Sequence, residues 1–311
     1  AGAGGAGICI PGPEGGEVCL GSSGAVTRIQ DGRQERVATG LPSLASPEGG
    51  EATGPHDVAV RGGTVYAVVG LGADPARRAD LGGDAADFGT IVQLTGGGQW
   101  RPVADVAAYE TRANPAGGDV DSNPYALLAE PDRFVVADAG GNDILAVNSD
   151  GSIETLAVFF DRMTAPPPFL MLPPGAEVPM QPVPTSVVRG PDGAYYIGEL
   201  TGFPFPQGGA RIWRLVPGKS PSVFAEGFTN IIDLAFDQAG NLYVLEIATN
   251  GLLSMDPTGA LHRIAPNGAR TLVAREGLVM PGGVAVGPDG ALYVSNFSVL
   301  AGEGQVVRIT P

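Results

Sequence analysis

Ten polar side chains stand either at the head of a short apolar run or at the tail of the run that follows it: His56, Asp57, Asn123, Asp138, Thr185, Glu199, Asn230, Asp233, Glu246 and Asn296. The set is rich in carboxylate and amide oxygens, which hard cations such as calcium collect about six to eight at a time. Glu199, Asn230, Asp233 and Glu246 form a candidate cation site of this kind. The competing reading is a polar lining that holds ordered water. His56, in "GPHDV", is a candidate general base and equally a hydrogen-bonded structural imidazole. The other histidine, His262, sits within an alternating run and reads as surface or inter-sheet packing. Without a free cysteine or a G-x-S-x-G elbow, no nucleophile–base pair can be assigned.

Three further motifs carry less. "GAGGAG" at 2–7 fits the dinucleotide pattern, but no strand precedes it and no helix pattern follows. "DVDSNPYALLAE" at 119–130 places Asp119, Asp121, Asn123 and Glu130 at calcium-loop spacing, with Pro124 where the loop needs glycine. The match is not a calcium loop, although its carboxylates can reach a metal in another geometry. "NFS" at 296–298 fits a glycosylation acceptor at the inward end of a strand, where a glycan has no room.

The elements that position these residues repeat. "GPDGAYYIGE", "DQAGNLYVLE" and "GPDGALYVSN" recur at a spacing of roughly 50 residues, the sign of a repeat architecture. Each unit reads as an apolar first strand, a Gly/Asp turn, an alternating second strand, a third strand with an "NG"- or "DG"-like end, and a fourth strand. Tyr66, Tyr196, Tyr243 and Tyr293 take equivalent second-strand positions. Stacked four-stranded meanders make a β-propeller, and six third strands predict six blades. The chain is therefore expected to be all-β, one propeller over 1–311 with blades at 8–42 (partial), 54–109, 121–160, 183–228, 229–278 and 280–311 (partial). Helix signals are nearly absent, except that 73–88 can hold a short helix. The proline-rich stretch 164–184 reads as a strap whose Phe169, Leu170, Met171 and Leu172 pack along the propeller.

Counting strands leaves the fourth strand of the final blade and the first two of the initial blade unassigned. They are expected from an upstream segment or from another chain; donation by a neighbour would give self-association or a filament.

Composition limits the partners. The 33 acidic against 18 basic residues, a net charge of −15, repel nucleic acid and anionic lipid. No apolar run approaches the roughly 20 residues of a membrane span. Cys9 and Cys19, the only cysteines, lie in one Gly/Pro-rich loop and predict a disulfide and an oxidising compartment.

The phrases "TGLPSLASPEGGEATGPHDV", "DSNPYALL", "VADAGGND", "GELTGFPFPQGGARIWRLVPG", "GFTNIIDLAFD" and "LEIATNGLLSMDPTGAL" resemble the ScyD/ScyE family, bacterial exported proteins named for two members encoded with a sunscreen-pigment pathway. The resemblance implies a secreted or periplasmic six-bladed propeller of the NHL-like group, with no catalytic residues to carry over. The expectation is an extracellular binding or scaffold protein. The alternative is a calcium-dependent lactonase or esterase using the ring carboxylates, with calcium as its cofactor.

Overall fold

Valine-, isoleucine- and tyrosine-rich runs with alternating partners form short antiparallel strands wherever the turns between them are tight. The computed structural model describes residues 2–12, 16–30, 32–50 and 52–311. Residues 13–15 of the cysteine loop and Asp31 lie outside them.

Two compact units are distinguished: residues 1–156 with 299–301, and residues 157–298 with 302–311. In the first, the opening sheet joins Cys9–Pro11, Glu17–Gln30 and Arg33–Ala45, three strands in that order. The next holds Pro55–Arg61, Thr64–Val69, Thr90–Gly96 and Gln99–Asp105. The third holds Pro124–Ala129, Arg133–Asp138, Asp143–Asn148 and Ile153–Val158. In the second unit, Pro184–Arg189, Tyr195–Glu199, Ala210–Leu215 and Ser222–Phe228 form the fourth sheet. Ile231–Phe236, Leu242–Glu246, Ala260–Ile264 and Arg270–Ala274 form the fifth. Gly283–Val286, Leu292–Asn296 and Gln305–Ile309 form the sixth. The sheets are consecutive meanders, as the repeat requires.

The first sheet departs from the strand count. The first two strands of the initial blade were left unassigned, yet Cys9–Pro11 pairs with the first half of Glu17–Gln30. Register shifts at Gly21, Gly24 and Val26 bend that long strand, so its two halves both pair with Arg33–Ala45. Cys9 lies directly opposite Cys19 and is disulfide-bonded to it.

The recurring phrase is a latch. In "GPDGAYYIGE" the Tyr196 hydroxyl donates to Asp192 of the preceding turn, and Arg214, directly across from Tyr196, donates to the same carboxylate. Tyr293 and Arg308 do the same to Asp289, and Tyr243 does so to Asp237. At Asp192 and Asp289 the turn aspartate thus closes one hairpin and grips the next strand, while at Asp237 the tyrosine alone closes the hairpin.

Apolar faces pack sheet against sheet. Leu41, Leu44, Phe88 and Val92 lie in one cluster, and Val68, Ile91, Leu127, Val136 and Leu145 in another. Ile212, Phe228, Ile231, Leu234 and Val244 fill a third, in the second unit. The expected short helix appears at Arg77–Leu81, followed by a 3-10 turn at Gly83–Ala85. A longer helix, Val106–Ala113, was not expected: Asp105 caps it by accepting from the Ala108 N–H, and Asn114 ends it in the left-handed region at φ 34°. Its eight residues give too few turns for a visible 3.6 period.

The proline-rich strap forms a two-stranded ribbon, Arg162–Thr164 with Val178–Met180. Its apolar tip does not pack down as expected. Phe169, Leu170, Met171 and Leu172 are all exposed, Met171 by 89%, and Phe169 meets Phe203 edge-on at 6.2 Å. Three proline rings and a 3-10 turn hold this stretch away from the surface that four apolar side chains would otherwise seek.

Candidate functional site

The residues at the heads of first strands act as stitches between sheets. A register shift beside each one turns its side chain toward the neighbouring strand. Asp57 accepts from the Val58 N–H at 2.7 Å and from the Leu127 N–H at 2.8 Å, joining the second and third sheets. Burial raises its pKa to about 6, against the opposing pull of those two N–H donors. Asp233 accepts from Leu234 N, Ser186 Oγ and Val284 N, joining the fourth, fifth and sixth. The Thr185 hydroxyl donates to the Ile231 carbonyl at 2.8 Å.

Residues at the tails of second strands anchor the segments that lead into the sheets. Glu199, fully buried, accepts from both guanidinium nitrogens of Arg162 at 2.6 and 2.8 Å, from the Trp213 indole and from the Arg211 N–H. Glu246 accepts from Thr229 N at 2.6 Å and pairs with His262 Nε2 at 3.0 Å. Asn230, at the head of the first strand Ile231–Phe236, donates to the Leu200 carbonyl and accepts from Leu252 N. Asn296, 2% exposed, accepts from Val279 N and donates to the Gly277 carbonyl. Each of the four expected cation ligands therefore already serves protein donors. Among the described residues, no group of three or more His, Cys, Asp and Glu side chains stands arranged to hold a metal ion.

His56 stacks on Tyr125 with ring centroids 4.4 Å apart, and Asn123 beside it accepts from Leu71 N. Its Nε2 is buried with no hydrogen-bond partner. Burial pushes its pKa down to about 3, so the ring is neutral. A neutral ring buried against Tyr125, with Asn123 as its side-chain hydrogen-bond neighbour, suits a packed imidazole.

Asp138, one of the ring residues read from the sequence, belongs to a second set of acids that the sequence did not join into one site. Asp138 accepts from Ser122 Oγ (2.7 Å), Asn123 N (2.6 Å), Gly140 N and Gly141 N (both 3.1 Å). It thereby fastens the 121–123 segment to the diglycine turn. Asp143 lies directly across the strand pair from Asp138, fully buried, and neither of its carboxylate oxygens has a hydrogen-bond partner. Glu110, on the helix Val106–Ala113 and 1% exposed, has a buried Oε2 without a partner; Asp121 has a buried Oδ1 in the same state. Burial raises Glu110 to about 7 and Asp121 to about 6, with the other carboxylates adding to each. Asp143 is raised well above the usual carboxylate range by burial and by Asp138 and Glu110. Asp121 was legible as part of the calcium-loop spacing. Glu110 and Asp143 lie 11 and 22 residues from it, and only folding brings them near.

Meanders of four antiparallel strands stitched by their first strands define a β-propeller. No family model and no curated protein matches this chain. Among solved structures, a gluconolactonase from Xanthomonas campestris is similar at a TM-score of 0.52 and 15% identity, covering 100% of this chain and 90% of that one. The PQQ-bound aldose sugar dehydrogenase from Streptomyces coelicolor aligns at 0.52 and 16%, covering 91% and 85%. A chain of the nidogen/laminin complex aligns at 0.52 and 14%, covering 89% and 84%. At these identities the likeness is one of fold.

Proposed function

We propose that this propeller is an extracellular or periplasmic binding or scaffold protein. One observation carries the reading: the oxygens and amides a catalytic ring would use are engaged in holding sheets and loops together, as at Glu199 and Asp233. The exposed strap tip, with Phe169, Met171 and Phe203, supports it as a surface fit for contact. The disulfide is compatible with an oxidising compartment. No helix is long and apolar enough to cross a membrane among the described residues. Self-association belongs to the same proposal, since Gln305–Ile309 lies at a sheet edge where a further strand can add. The test is hydrolysis of a panel of sugar lactones and aryl esters, with calcium and with chelator. We expect no turnover above buffer; chelator-sensitive turnover overturns the reading.

A calcium-dependent lactonase is the second reading. It draws on the gluconolactonase among the structural neighbours, but its support in this chain is the set of uncommitted oxygens on Glu110, Asp121 and Asp143.

A further inference from the structure

The geometry points to a divalent-cation site, of the calcium type, built on Glu110 and Asp143 beside Asp121 in the first compact unit. It is separate from the ring residues Glu199, Asn230, Asp233 and Glu246, and it does not depend on whether the protein is a binder or a hydrolase.

Four carboxylates meet around the diglycine turn of "ADAGGND". Asp138 is saturated by one hydroxyl and three N–H donors and serves as the organiser. The other three keep four buried oxygens with no donor: both of Asp143, Oε2 of Glu110 and Oδ1 of Asp121. The two glycines let the turn come close to these acids. A Cβ on Gly141 would lie 3.3 Å from Glu110 Oε2, and one on Gly140 would lie 2.8 Å from Asp121 Oδ1.

The charges that reach these groups are all of one sign. Asp138 and Asp121 act on Glu110, Asp138 and Glu110 on Asp143, and Asp138 and Asp74 on Asp121. Ser122 and Asn123 from the neighbouring segment offer their hydrogen bonds to Asp138. Buried ionised carboxylates without partners cost several kcal/mol each, so the set must take up protons or a cation. The oxygens come from a helix, a loop and a strand and are hard ligands, which favours calcium. Magnesium demands a tighter octahedron and gives up its water reluctantly. No three of these acids already surround one point, so the ion draws two carboxylates together and fills its remaining positions with carbonyl and water oxygens.

The test uses the full chain, freed of metal by chelator and dialysis, and titrated with calcium chloride in a calorimeter and by thermal unfolding. One equivalent of calcium is expected, with a rise in Tm. In Asp143→Asn or Glu110→Gln, affinity is expected to fall by roughly ten- to a hundredfold. Both neutral variants remove a buried like charge, so their calcium-free forms are expected to be at least as stable as the parent, and a lost response is then not a folding failure. Asp289→Asn, in the other compact unit, keeps the response. The inference is overturned if millimolar calcium produces neither heat nor a Tm shift, which leaves protons as the compensation. It is equally overturned if the Asp143→Asn/Glu110→Gln double variant responds to calcium as the parent does.

Discussion

Replacing Arg162 with alanine tests whether tail residues hold their loops. The guanidinium makes two bonds to Glu199 and a third, at 2.8 Å, to the Gly209 carbonyl. The Glu199 side chain is 1% exposed, and that of Arg162 20%. Removing the arginine leaves a buried carboxylate with only the Trp213 indole and the Arg211 N–H as donors. Breaking a buried pair from one side costs about 3–5 kcal/mol, and the two remaining donors place this case toward the lower end. Denaturant unfolding followed by tryptophan emission is the assay, since Trp213 itself donates to Glu199 and meets Phe159 in a tilted contact with ring centroids 5.4 Å apart. Adding Glu199→Gln to the variant removes the stranded charge and is expected to recover part of the loss. A loss below about 1 kcal/mol, typical of exposed pairs, or no recovery in the double variant, refutes the reasoning.

The Cys9–Cys19 bridge, spanning 10 residues of sequence, is expected to contribute about 3 kcal/mol through loop entropy. Thiol titration of the denatured, unreduced protein should find no free thiol, and two per chain would contradict the bridge. His56 is held neutral to about pH 3, so its ring protons should not titrate between pH 5 and 8 in NMR spectra; a midpoint near 6.5 would mean that the ring is solvated. Glu110, raised to about 7, binds its proton more tightly when folded, so ionisation takes stability away as pH rises from about 4.5 to about 7. In calcium-free protein, the stability difference between Glu110→Gln and the parent should widen in the variant's favour across that window, and a constant difference would remove Glu110 from the buried set.

The repeat, the antiparallel meander and the cysteine pairing were written in the sequence, because turns, alternation and cross-strand pairs are local and recur. "PDG" followed four residues later by tyrosine specifies its hairpin wherever it stands, and the Tyr–Asp–Arg latch is the reward for that spacing. The polar residues at strand ends were also findable by position, but not their work. Whether Glu199 or Asp233 faces a cation or a neighbouring strand depends on register shifts and on partners such as Arg162 and Val284, which lie 37 and 51 residues away. The helix carrying Glu110 is too short to announce itself by periodicity, and the exposure of Phe169 and Met171 follows from how the strap is tethered rather than from its hydropathy. Only the tertiary structure decided these points, because burial and the choice of hydrogen-bond partner are set by strands brought together from distant parts of the chain.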